Sequence, residues 1–251
     1  MTDRSSTSAG QNDWGDAAGA LSRTLHLTVA PIAISFGETA PAGVPAFDAP
    51  MAGPAPDGRA GRVPAGCVFW IHASKRSFTT APEDHGNCSV GRYTHGLATL
   101  EEVGTNGDIA TLVESGWVDE AAFSSIPAVS SRAQVISYGP LAEAARTPDV
   151  VLLRVNARQL MVLSDAIPGL RIEGKPQCHI VALAKERREA VASVGCALSR
   201  ARTGMRPDEM TFAFPGSRLA EVVEAVQRAT AIDGAVAKYA ADDARRFAPG
   251  A

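Results

Sequence analysis

The run VVLLRVNARQLMVLSDAIPG, residues 150–169, decides the fold class. Val150-Val151-Leu152-Leu153-Arg154-Val155 is a short apolar stretch rich in β-branched side chains, which reads as a strand. Asn156 suits the N-cap that follows, because its side-chain oxygen can take up an amide that a helix start leaves unbonded. The helix it opens spans Ala157 to Ala166, and Pro168-Gly169 ends it. A strand feeding a capped helix, in a chain where both recur, is α/β or α+β: a mixed sheet with helices packed on it.

Working outward, Val135-Ile136-Ser137-Tyr138 and Ala30-Pro31-Ile32-Ala33-Ile34-Ser35-Phe36 read as strands, the latter with its proline early, where a sheet tolerates it. Ala17, Leu21 and Leu25 recur on one face of a first helix, with Asp13 or Asp16 as its cap. Val68 to Ala73 fits either a buried strand or one side of a helix. Leu97–Ser115 and Asp119–Ile126 look helical, with Asp108 and Asp119 as N-caps. Downstream, His179–Ala184, Ser193–Ala197 and Thr211–Phe214 read as short strands. Arg218–Thr230 is amphipathic, with Leu219, Val222, Val223, Val226 and Ala229 on one stripe, and a last helix is expected over 232–246. These elements predict a single compact domain over 14–246, tails at 1–13 and 247–251, a long Pro/Gly/Ala-rich loop at 38–64 and a second loop at 74–96.

The chain has 251 residues, 45% hydrophobic and 20% charged, enough to bury a sizeable core. A net charge of -3 and 6% aromatic residues leave no footprint for nucleic acid. No stretch approaches the ~20 apolar residues that span a bilayer, and MTDRSSTSAGQND lacks the apolar centre of a secretory signal. The expectation is a cytoplasmic protein with no membrane partner, in which thiols stay reduced and four cysteines point to metal or redox chemistry.

Those cysteines are Cys67, Cys88, Cys178 and Cys196. Thiolates suit iron–sulfur clusters and zinc. No Cys-x-x-Cys pair is present, so a shared site would have to be assembled by the finished fold. The bland alternative is burial, since cysteine is among the most buried residue types. The segment Asp84-His85-Gly86-Asn87-Cys88-Ser89-Val90-Gly91-Arg92 is the densest candidate. A helix starting near Ser89 would favour a thiolate at Cys88, His85 could donate a proton or bond a sulfur, and His95 could face the same pocket. Asp84-His85 also fits a plain turn. His179, next to Cys178 on a presumed strand, would point to the opposite face of the sheet. Ser199 and Arg200 follow Cys196; Arg200 could pair with a substrate carboxylate, or Arg200 and Arg202 with Asp208 or Glu209.

In these segments the chain resembles a prokaryotic family designated domain of unknown function 169. The matching pieces are Ala30 to Ile34, Cys67 with its apolar followers, Cys88 with Val90-Gly91, Pro148 to Val151, the Cys178 segment and Gly195-Cys196-Ala197-Leu198-Ser199-Arg200 through Gly204. Asp208-Glu209-Met210, Phe212 to Pro215 and Leu219 continue them, so the match covers roughly residues 16 to 230. The resemblance implies cysteines at corresponding places; this chain departs from it at Asp84-His85-Gly86-Asn87. It implies no general activity.

Three readings stand open. The first is an enzyme with a cysteine-ligated iron–sulfur cluster, [4Fe-4S], acting on a small molecule by removal of sulfur or another heteroatom or by redox chemistry. Cys67, Cys88, Cys178 and Cys196 would be its ligands, His85, His95, Ser199 and Arg200 its catalytic candidates, and an electron donor a possible partner. If all four cysteines ligate, electron transfer is favoured over substrate binding at iron. The second is a non-catalytic protein that binds or senses zinc. The third is a metal-free enzyme using Cys88 with His85 or His95.

Overall fold

A computed structural model describes residues 11–48, 66–86, 88–104, 107–116, 119–174, 177–197, 199–200 and 205–247. Seven strands form one sheet in the order β2-β3-β1-β4-β7-β6-β5. They are β1 (Ile32–Gly37), β2 (Phe78–Thr80), β3 (Val135–Pro140), β4 (Val150–Val155), β5 (Arg171–Glu173), β6 (Val191–Ser193) and β7 (Met210–Pro215). Every neighbouring pair is antiparallel except β5 and β6.

Side chains alternate across a strand, so each strand feeds both faces. Ile32, Ile34, Ile136, Tyr138, Val150 and Leu152 point to one face. Ala33, Val151, Leu153, Val155, Phe212 and Phe214 point to the other. Both sets are buried, which makes the β1–β4–β7 centre apolar on both sides and requires helices above and below it.

The second face is covered by α1 (Gln11–Leu25), α6 (Ala157–Ala166) and α8 (Leu219–Thr230), through Leu21, Leu25, Leu160, Leu163, Val222 and Val226. The first is covered by α2 (Gly66–Ala73), α3 (Ser89–Thr94) and α7 (His179–Glu186). Two further helices, α4 (Leu100–Gly104) and α5 (Gly107–Glu114), pack against α3. The last helix, α9 (Asp233–Phe247), buries none of its side chains.

The strand–helix unit at residues 150–166 matches its expected bounds. Asn156 Oδ1 accepts from the Gln159 amide at 3.0 Å, and Gln159 Oε1 accepts from the Asn156 amide at 2.8 Å. Asp119 likewise caps its 3-10 turn, accepting from the Ala121 amide at 2.9 Å. Asp13 and Asp16 are not caps, because α1 is already formed at Gln11. Asp108 lies inside α5 rather than ahead of it, and the expected helix at 97–115 is instead the short pair α4 and α5.

His179–Ala184 is not a strand: it is the body of α7. Strands β5 and β6 are parallel, and a parallel pair needs a crossover, which α7 supplies. Its Ile180 to Ala184 are buried, which gives an unbroken apolar run without helical periodicity. The strand expected at Ser193–Ala197 ends at Ser193. Val68–Ala73 is helical, and the presumed loop at 74–96 contains β2, a 3-10 turn at Pro82–His85, and α3. Of the loop at 38–64, residues 49–64 lie outside the described residues, as do residues 1–10 of the tail.

Replacing Asn156 with Ala removes one half of a reciprocal cap and should cost about 1 kcal/mol, read as a lowered urea midpoint with unchanged slope. Gly96 ends α3 with φ +70°, and an added Cβ there would strike the Val129 carbonyl. Gly96→Ala should therefore cost more than Asn156→Ala in the same measurement.

Candidate functional site

Each of the four cysteines stands where a helix or helical turn begins on the first face. Cys67 is the second residue of α2. Cys88 is the N-cap of α3, and its Sγ accepts from the Gly91 amide at 3.3 Å. Cys178 precedes α7 in helical conformation. Cys196 follows β6, and its Sγ accepts from the Ser199 amide at 3.4 Å while its carbonyl accepts from the Arg200 amide at 3.2 Å. Amides freed at a helix start can donate to sulfur, as those of Gly91 and Ser199 do.

The fold brings these starts together. Helix α3 touches both α2 and α7, and Cys67 and Cys88 pack against the same core that contains Cys178. Ser199 Oγ, fully buried, bonds Gln177 Oε1 at 3.3 Å and the Cys196 carbonyl at 2.9 Å, tying the Cys196 turn to the residue before Cys178. Burial pushes the Cys178 thiol well above its usual range, and the neighbouring Cys88, Cys196 and Cys67 push the same way, with Thr94 opposing. Burial also raises Tyr138, with Cys67 and Cys178 beside it. All four cysteines are thiols rather than disulfides. As placed, no three or more His, Cys, Asp or Glu side chains among the described residues are grouped to hold a metal ion.

His85 and His95 sit in the same layer, both buried, with ring centroids 5.7 Å apart. His95 Nδ1 is 2.8 Å from the Gly91 carbonyl, which can only accept, so that nitrogen carries the proton. His85 Nε2 is 2.9 Å from Thr80 Oγ1, and that hydroxyl also lies 3.4 Å from the Ile136 carbonyl, so its one proton serves either the ring or the carbonyl. Burial lowers both imidazoles: His95 to about 4, against the Gly91 hydrogen bond, and His85 well below its ordinary value, with His95 and Arg92 adding to the effect. Both rings are neutral at physiological pH. Asp84 plays the structural part, accepting from the Ala81 amide at 2.9 Å to close the turn.

Arg200 does not reach outward for a carboxylate. Its guanidinium donates to the main-chain carbonyls of Val194 at 2.7 Å, Arg206 at 2.7 Å, Glu209 at 3.1 Å and Pro207 at 3.4 Å. Nor does it pair with acidic side chains: Asp208 pairs with Arg206, and Glu209 with the largely buried Arg154. Arg202 lies outside the described residues. Ser199 is likewise held inward and orients Cys196. His179 is a helix residue 3.7 Å from Glu173, so the expectation based on an opposite sheet face falls away with the strand.

Sequence reading passed over Tyr138 and Trp70 as site residues, and named Arg92 only as the end of the Asp84–Arg92 segment. The period-two pair Ile136 and Tyr138 on β3 was the available signal, because it puts the phenol on the face that carries the cysteines.

The family model of domain of unknown function 169, described as uncharacterised ArCR, matches residues 20–225, and the chain belongs to that family. A search of the curated proteins found no match, and neither did a search of the solved structures. Among the described residues, no helix is long and apolar enough to cross a membrane.

The histidines set a pH dependence. The folded value of His95, about 4, lies below the ordinary 6.5, so between these limits the unfolded chain binds more protons. Stability then rises with pH across that window and is lost on acidification from 6.5 towards 4, by on the order of 3 kcal/mol. Urea midpoints measured from pH 7 to 4 should fall more steeply for the parent than for His95→Gln; equal slopes would contradict the assignment.

Proposed function

We propose that this chain is an iron–sulfur enzyme in which Cys67, Cys88, Cys178 and Cys196 hold a [4Fe-4S] cluster beside a small-molecule site. One observation carries the reading: four cysteines spread over the chain each stand at a helical start, and Cys67, Cys88 and Cys196 lie near enough to Cys178 to bear on its charge. Burial and the neighbouring Cys88, Cys196 and Cys67 oppose ionisation of Cys178, and a bound cationic centre would offset that penalty. The amides that Gly91 and Ser199 direct at sulfur would moderate the negative charge of such a centre. The support is this shared location rather than a ready-made coordination shell.

Held by all four cysteines, the cluster would supply electron storage for redox chemistry; held by three, its open iron would supply a Lewis acid for removing sulfur or another heteroatom from a substrate. The chain supplies the rest. Neutral His85 and His95 and the protonated Tyr138 would hold and orient a substrate by hydrogen bonds near Cys67 and Cys178, and the aromatic packing of Phe69 and Phe78 would keep water out. Ser199 and Arg200 are positioning residues for the Cys196 turn. An electron donor is the partner a redox reaction would require, and a cytoplasmic location would keep the thiols reduced.

Anaerobic purification followed by iron and acid-labile sulfide analysis tests the proposal. The expected result is about four of each per chain, with a broad absorbance extending into the visible. Single Cys→Ala variants should lose most of the iron at each ligand, whereas His85→Gln should keep it and lose turnover. Zinc without sulfide would establish the zinc-binding alternative, and full metal content in all four Cys→Ala variants would end the cluster assignment.

A further inference from the structure

Buried polar atoms nearly always find partners, yet on the first face several have none among the described residues. They include His85 Nδ1, His95 Nε2, Arg92 Nε and the Tyr138 hydroxyl, with Trp70 Nε1 in the same helical layer. The relative exposures of His85, His95 and Tyr138 are 1%, 0% and 2%. Each such group costs about 1–3 kcal/mol when left unmet. Four of them belong to one neighbourhood: the His85 ring is 5.7 Å from His95 and 6.4 Å from Tyr138, and the Arg92 charge acts on His85.

The hydrogen-bond directions define what is missing. His95 Nδ1 carries its proton toward the Gly91 carbonyl. The unmet His95 Nε2 is therefore a lone pair that asks for a donor. Arg92 Nε and Tyr138 offer protons and ask for an acceptor. A metal cation would satisfy His95 Nε2 but oppose the Arg92 charge. A carboxylate would satisfy Arg92 and Tyr138 but present no proton to His95 Nε2. A neutral group with an N–H beside a carbonyl or thiocarbonyl meets both demands at once.

We propose that His85, His95, Arg92 and Tyr138 form a binding site for an amide-type group, N–H next to C=O or C=S, on a small uncharged substrate. This deepens the cluster reading by naming the substrate class of the same site, while binding through these four side chains does not itself require iron. Tyr138 and Arg92 hold the carbonyl-type atom on the side where Cys67 and Cys178 lie beside the phenol, and His95 Nε2 accepts from the N–H.

The full chain, purified anaerobically, is titrated with acetamide, N,N-dimethylacetamide and acetate while imidazole nitrogen signals are followed by NMR. Dimethylacetamide keeps the carbonyl and lacks the N–H; acetate exchanges the N–H for charge. Acetamide alone should shift the His85 and His95 signals saturably, and Tyr138→Phe should weaken it about three- to tenfold. That variant removes only a hydroxyl without a described partner, so its thermal midpoint should not fall. No saturable shift, an equal response to dimethylacetamide, a preference for acetate, or unchanged affinity in Tyr138→Phe would each overturn the assignment. Iron and sulfide counted on the same samples separate the two readings: iron present without acetamide binding sinks the pocket alone, and binding without iron sinks the cluster alone.

Discussion

Burial of the sheet centre on both faces is the constraint from which the rest follows. Strands β1, β4 and β7 bond each other through their main chains and present apolar side chains above and below. Burying a side chain such as Leu152 or Leu153 is worth roughly 2 kcal/mol, and neither face can be left to water. Helices are thereby compelled onto both sides. On the first face they are short, and their starts come together, since α3 touches both α2 and α7. The cysteines occupy those starts, so the same packing that closes the core collects the sulfurs.

The two layers differ in kind. The second is apolar throughout its core, from Leu21 and Leu25 to Val222 and Val226. The first mixes thiols, imidazoles, a phenol and a guanidinium among phenylalanines, and atoms of His85, His95, Arg92 and Tyr138 have no partner among the described residues. A layer built only for stability would have replaced these groups with hydrocarbon. Retaining them lowers stability, and the lowered imidazoles and raised thiol are electrostatic signs of the same penalty.

Around this layer stands a frame that acts through geometry. Arg200 gathers the carbonyls of Val194, Arg206, Pro207 and Glu209, and Gly195 at φ +94° lets the chain turn beneath it. Ser199 links Cys196 to Gln177, and Arg154 with Glu209 fastens the segment entering β7 to β4. A single missing partner in a pair as buried as Arg154–Glu209 would leave a charge without compensation, which is why such frames change as units.

Local signals were sufficient wherever the chain's own neighbours settle the matter. Asn156 with Gln159, the run Val150–Val155 and the stripe on α8 each carry their partners within a few residues, and the sequence by itself determined them, along with the class of fold and the identity of the candidate cysteines and histidines. It misplaced α7 because a helix buried on all sides has no amphipathic period, and it passed over β2 and β5 because three residues are too few to show alternation. Tertiary structure alone decided that the cysteine-bearing turns lie near Cys178, that Arg200 is spent on carbonyls, and that Tyr138 joins the histidines. Those facts depend on contacts between residues tens of positions apart, and such contacts exist only after the sheet has closed and carried its helices onto one face.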